Sequence, residues 1–278
     1  RQAARRRRAR CRYGNARASR SAGWPRCGIG GFGGLFALAP GYREPVLVST
    51  TDGVGTKAKL ALDWGYLDGL GQDLVAMNVN DLLCAGGEPV LFLDYYACGQ
   101  LDETQLTTLL RSIQSGCELS GCTLAGGETA EMPGVYAGED FDLAGFSIGF
   151  GERRELLGPE RVREGDVIVA LGASGAHSNG YSLIRKLVDR AGLKPGDTAP
   201  FEGGTWKDVL LAPTLIYVPL LKGWNAKLHA LAHLTGGGLF ENLPRVLPNG
   251  IRARIKAWDF PPLFQWIQRT AEISTEQM

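Results

Sequence analysis

Asp52-Gly53-Val54-Gly55-Thr56-Lys57 places a carboxylate, two glycines, a hydroxyl and an ammonium within six consecutive residues. Val46-Leu47-Val48-Ser49-Thr50 before it is a β-branched, strand-like run, and helical spacing begins at Lys57. Gly53 and Gly55 let the backbone approach an anion closely. The new helix presents free N–H groups, Lys57 brings positive charge, and Asp52 is suited to hold a divalent cation. An ordinary βα turn would accommodate the same residues, and the spacing is not that of a Walker A loop. Asn78, Asn80 and Asp81 lie in an otherwise apolar helix with Asp73 earlier on it. A buried carboxylate needs a partner, either a cation or a salt bridge. Gly126-Gly127-Glu128-Thr129-Ala130-Glu131 ends another strand-like run with acids at i and i+3, also the pattern of a capped helix start. Together, Asp52, Asp81 and Glu128 would form the oxygen-rich cage that Mg²⁺ prefers when it bridges nucleotide phosphates.

Gly175-Ala176-His177-Ser178-Asn179-Gly180-Tyr181-Ser182 joins a strand-like run to a helix and is a second candidate anion loop, with His177 as a proton-transfer or phosphate group or simply a solvated loop histidine. His233-Leu234-Thr235-Gly236-Gly237-Gly238 is a third. Three such loops on successive strand ends suggest one phosphate-lined cleft. Gly28-Ile29-Gly30-Gly31-Phe32-Gly33 fits G-x-G-x-x-G, but Pro25 and Pro40 leave no room for the strand and helix a dinucleotide fingerprint needs. What remains is a glycine loop that folds over phosphates or a plain linker.

The elements that must position these residues alternate. Helical patterns at Lys57–Leu62, Asp73–Cys84 and from an Asp102 N-cap through Cys117 are interleaved with strand-like runs at Pro89–Tyr96, Thr123–Ala125 and Phe141–Phe150. The charged stretch 152–166 carries Gly158-Pro159 and no apolar period, so a domain boundary is expected there. Strands are then expected at Val167–Leu171, Leu228–Ala232 and Ile251–Ile255, with helices near Tyr181–Arg190 and after Gly236–Gly238. The expected fold is α/β (α+β), two layered domains with mixed sheets flanked by helices, divided as 1–27, 28–152 and 153–278.

Composition narrows the function. Residues 1–27 carry ten arginines and no acid, leaving 20 basic and 29 acidic groups on the rest, a net charge of −9. An acidic body argues against a nucleic-acid-binding role, and no apolar run is long enough to span a bilayer. The Arg-rich opening is expected to be a disordered or non-native segment, with an organellar transit peptide or a nucleic-acid-binding arm over Arg5–Arg26 as alternatives. Six cysteines without a C-x-x-C pair point to a reducing, cytoplasmic compartment, and Cys117 and Cys122 are expected to be buried thiols rather than a metal pair.

The wording of these segments, GGFGGLF at Gly30–Phe36, DGVGTK at Asp52–Lys57, DLVAMNVNDLL at Asp73–Leu83, FLDYYA at Phe92–Ala97, GGETAEMPG at Gly126–Gly134, HSNGYSLIRK at His177–Lys186 and HLTGGG at His233–Gly238, resembles the phosphoribosylformylglycinamidine cyclo-ligase family, or aminoimidazole ribonucleotide synthetases, from about Gly30 to Met278. The resemblance implies an ATP-dependent ring closure in purine biosynthesis. ATP phosphorylates the formamide oxygen of formylglycinamidine ribonucleotide, the amidine nitrogen closes the imidazole, and ADP, phosphate and aminoimidazole ribonucleotide leave. It further implies Mg²⁺ on Asp52, Asp81 and Glu128. ATP or phosphate contacts fall on Gly30, Gly31, Gly33, Gly34, Gly53, Gly55, Thr56 and Lys57, substrate contacts on His177, Ser178 and Asn179, and catalytic roles on Lys57, His177 and Asp81. A homodimer paired through its N-terminal sheets is also implied. The family's N-terminal YKDAGVD-type segment is replaced here by the Arg-rich stretch, and family members continue past the position of Met278, so the second domain is expected to be incomplete. Selenide water dikinase, thiamine-monophosphate kinase and hydrogenase maturation factors would share the Asp52 and Asp81 positions, but GETAEMPG and HSNGYS favour the cyclo-ligases.

Overall fold

The computed structural model describes residues 36–201, 204–256 and 258–278. The Arg-rich segment and the Gly30–Gly34 loop lie outside the described residues.

Strands β1 (Pro45–Gly53), β2 (Glu88–Cys98), β3 (Thr123–Glu131) and β4 (Phe141–Glu152) form one mixed sheet in the order β1-β4-β2-β3. β4 runs antiparallel to both β1 and β2, while β2 and β3 are parallel. A parallel pair needs a crossover, and helix α3 (Glu103–Ser120) provides it. Asp102 caps α3 as expected, its carboxylate accepting from the Gln105 N–H at 2.7 Å, and Gly121 ends it in the left-handed region.

Helices α1 (Lys57–Trp64) and α2 (Leu70–Cys84) connect β1 to β2. α2 is apolar on nearly every side because it lies between the sheet and α3. Its approach to α3 depends on Gly71. A β-carbon there would overlap the Ile113 nitrogen and come within 2.6 Å of the Leu109 carbonyl oxygen, so alanine could enter only by separating the helices. Leu74, Val75, Val79, Phe92, Tyr96, Leu109, Ile113 and Leu143 fill the core between these layers.

Among the described residues, helices cover only one face of the sheet. The pleat and register send Val48, Thr50, Asp52, Phe92 and Asp94 toward the helices. Leu47, Phe146, Ile148, Phe150, Leu91, Leu93 and Tyr95 point to the other, open face, where Leu47 is 58% and Phe146 41% exposed.

Past Glu152 the chain builds a second, smaller core around α4 (Tyr181–Ala191), α5 (Trp206–Leu210) and α8 (Pro262–Ala271), with the short helices α6 (Val218–Leu221) and α7 (Gly238–Asn242) between α5 and α8. Trp206 packs against Trp266 with the rings tilted by 53° and their centroids 4.6 Å apart. The expected strands at Val167–Leu171, Leu228–Ala232 and Ile251–Ile255 are a correction: none is a strand, and among the described residues every strand lies in 45–152. β-branched residues favour extended backbone, but a strand exists only with a ladder partner. These runs have none, and Val167 and Val169 are 85% and 75% exposed.

Candidate active site

The Asp52–Lys57 turn leaves β1, enters α1 and meets the second candidate loop. Thr56 Oγ1 lies 3.3 Å from Ser182 Oγ in the first turn of α4, and a β-carbon on Gly55 would touch the Ser178 carbonyl. Gly55 has φ +56°, a conformation that disfavours a side chain. Two loops separated by more than a hundred residues therefore share one rim, as their composition suggested. At that rim Gly53, Gly55, Thr56, Ser178 and Asn179 gather beside the N-terminus of α4.

Asp52 and Asp81 are brought together. Asp52 is the penultimate residue of β1, and α2 is fastened alongside by the Thr50 hydroxyl donating to the Asn78 carbonyl at 2.9 Å and by Asn78 Nδ2 donating to the Asp52 carbonyl. Asp81 follows one turn further along α2. Burial raises the Asp52 carboxyl above its ordinary range and the neighbouring Asp81 carboxylate raises it further, against the Gly53 N–H and His233, which lower it.

Glu128 is not brought there. It pairs with Tyr95 on the far edge strand, three strand spacings from β1 or roughly 14 Å, and the pleat points it to the open face while Asp52 points to the helices. Among the described residues no three His, Cys, Asp or Glu side chains are grouped to hold a metal ion. The expected three-carboxylate cage is thus a carboxylate pair within one chain.

Lys57 is also placed differently from the expectation. It is fully buried, its ammonium donating to Asp73 Oδ1 and to the Ala212 carbonyl, both at 2.8 Å, with the Tyr181 ring 5.5 Å away. Thr214 donates to the same Asp73 oxygen through its N–H at 2.7 Å and its hydroxyl at 2.6 Å. Burial pushes the Lys57 ammonium down and the Asp73 carboxyl up, and their contact opposes both shifts. This pair ties segment 211–217 to α2, and the ammonium is engaged inside the fold.

His177 is buried at φ +54° rather than solvated. Its Nε2 accepts from the Ser174 N–H at 3.1 Å and the Leu215 N–H at 3.5 Å. Burial, then Lys57 and His233, lower its pKa to about 4, so the ring is neutral at pH 7. It holds the 174–180 turn against segment 211–217.

His233 was legible only as part of a glycine loop. Its Nδ1 lies 2.7 Å from Asp81 Oδ1, and its Nε2 is buried with no hydrogen-bond partner among the described residues. In the glycine turn after it, Asn242 Nδ2 donates to the carbonyls of Thr235, Gly236 and Gly238.

Fold and site together define a class: two-part α/β proteins in which two glycine-containing turns meet beside an acidic pair. The thiamine-monophosphate kinase of Stenotrophomonas maltophilia shares the architecture, with a TM-score of 0.57 over 86% of this chain and 69% of that one at 20% identity. Residues 38–150 match the family described as AIR synthase related protein, N-terminal domain, and residues 163–278 match its C-terminal domain. Relatives named phosphoribosylformylglycinamidine cyclo-ligase, from Chromobacterium violaceum and Aromatoleum aromaticum, are each 52% identical over 90% of this chain and cover 74% and 73% of their own lengths. The chain belongs to the phosphoribosylformylglycinamidine cyclo-ligase family of AIR synthase related proteins.

Proposed function

We propose that this chain closes the imidazole ring of aminoimidazole ribonucleotide from formylglycinamidine ribonucleotide at the expense of ATP. The family membership names the reaction, and the observation that supports this site for it is the meeting of the Asp52–Lys57 turn, the 175–182 turn and the Asp52–Asp81 pair. The formamide oxygen attacks the γ-phosphorus and ADP departs. The amidine nitrogen then adds to the activated carbon, and phosphate leaves as the ring forms. Gly53 and Gly55 bring backbone to the phosphates, and Thr56, Ser178 and Asn179 orient the substrates at the rim.

Mg²⁺ fits the chemistry of the donor set. Two carboxylates, one half-buried and disfavoured by its like-charged neighbour, match a cation commonly held by one or two carboxylates together with phosphate oxygens and water. When bound it neutralises phosphate charge. The Gly30, Gly31, Gly33 and Gly34 loop is proposed as a phosphate cover on its sequence alone. Lys57 and His177 are assigned to holding the two turns in register, and a cytoplasmic setting accords with the free thiols of Cys84, Cys98, Cys117 and Cys122. Among the described residues no helix is long and apolar enough to cross a membrane.

The test is product analysis. Aminoimidazole ribonucleotide should form only when ATP and formylglycinamidine ribonucleotide are both supplied, and Asp52→Asn should slow it at least ~100-fold. Phosphoryl transfer from ATP to thiamine monophosphate instead, giving ADP and thiamine diphosphate, or an undiminished Asp52→Asn rate, would defeat the reading.

A homodimer through the open sheet face is the proposed assembly, because Leu47, Leu91, Phe146, Ile148 and Phe150 make that face apolar. Phe146→Glu should shift the sedimentation coefficient from dimer to monomer. A parent chain that sediments as a monomer at micromolar concentration rules the assembly out.

A further inference from the structure

His233 is held to α2 through its ring, whose Nδ1–H donates to Asp81 Oδ1 at 2.7 Å. The His233 side chain is 9% exposed, and Nε2 is buried without a partner among the described residues, so the ring's polar contact there is spent on Asp81 alone. Such an arrangement costs stability at Nε2. It also gives the Asp81 carboxylate one fixed orientation, with Oδ1 engaged by the ring and the side chain still 41% exposed. Asp81 and His233 both act electrostatically on Asp52, and Asn78, one turn before Asp81 on α2, donates to the Asp52 carbonyl.

From this we propose that His233 is a positioning residue for the cation site: it aims Asp81 at the divalent cation shared with Asp52 and so couples the loop at 233–238 to cation and nucleotide binding. The inference rests on the proposed assignment of Asp52 and Asp81 to Mg²⁺. The physical basis is general. A hydrogen bond to one oxygen of a ligating carboxylate fixes its rotamer and leaves the other oxygen for the ion, and losing such a partner costs roughly 10–100-fold in metal affinity.

Mn²⁺ binding by electron paramagnetic resonance, with and without a non-hydrolysable ATP analogue, tests it on the full chain. His233→Asn keeps an N–H near the position of Nδ1, whereas His233→Gln and His233→Ala do not. Affinity for Mn²⁺ should fall by about 10–100-fold in the Gln and Ala variants and stay within about threefold of the parent in the Asn variant. Thermal melts accompany each variant. If the Ala variant does not fold, the Asn and Gln variants decide the matter between them. Parental affinity in His233→Gln, or equal loss in His233→Asn and His233→Gln, overturns the positioning role and leaves the cation site standing. A parent chain that takes up no Mn²⁺, or an Asp81→Asn variant that binds it as well as the parent, overturns the cation assignment and the positioning role together.

Discussion

Lys57→Met should lower the unfolding free energy by about 3–5 kcal/mol, the usual consequence of leaving one member of a buried ion pair uncompensated. The side chain is fully buried, and among the described residues Asp73 has only the Lys57 ammonium and the Thr214 donors to offset its burial, all on Oδ1, while Oδ2 has no hydrogen-bond partner there. Removing the ammonium also frees the Ala212 carbonyl and loosens segment 211–217 from α2. Asp73→Asn combined with Lys57→Met removes both charges and should recover a large part of the loss, since neutral replacement of a buried pair is often tolerated. Urea denaturation of the parent, the two single variants and the double variant measures the coupling. A loss below about 1 kcal/mol in Lys57→Met would show that the contact is not maintained in solution. At a temperature where Lys57→Met remains folded, its affinity for an ATP analogue should stay within about threefold of the parent, because the ammonium is engaged inside the fold. A selective loss of nucleotide affinity with unchanged stability would return Lys57 to the phosphates.

The second large effect is acid sensitivity through His177. Its pKa of about 4 in the folded chain, against 6.5 for a free side chain, means that the unfolded chain takes up a proton across that interval while the folded chain does not. Stability from this group is complete above about pH 6.5 and is lost progressively as the pH falls toward about 4, a total of roughly 3 kcal/mol. His177→Asn removes the titration and suits the position, since asparagine accepts positive φ better than most residues. The variant should be less stable than the parent at pH 7.5, having lost the acceptor for the Ser174 and Leu215 N–H groups, and its stability should change less between pH 7 and 4.5. Chemical denaturation at four or five pH values gives both slopes. Parallel slopes would mean that the ring is accessible to protons in the folded state.

Particular residues show why some of this was legible in the sequence. Asp102 as an N-cap, α2 between Asp73 and Cys84, and the four strands of the first part follow from local chemistry and periodicity, which depend on residues a few positions apart. The runs at Val167–Leu171 and Ile251–Ile255 carried the same local signal and form no strand, because hydrogen-bond partners are supplied from elsewhere in the chain.

The glycine-containing segments, with their hydroxyls and acids, were legible in the sequence because residue types and local spacings are local properties, and the family resemblance, which the 52% identical relatives bear out, follows from the same segments. Tertiary structure alone decided which charges face one another. β-Sheet order and pleat separate Glu128 from Asp52, burial turns Lys57 inward to Asp73, and a contact spanning 152 positions sets His233 on Asp81. Burial and electrostatic pairing depend on distance in space, and a linear spacing fixes distance only within a single turn or strand.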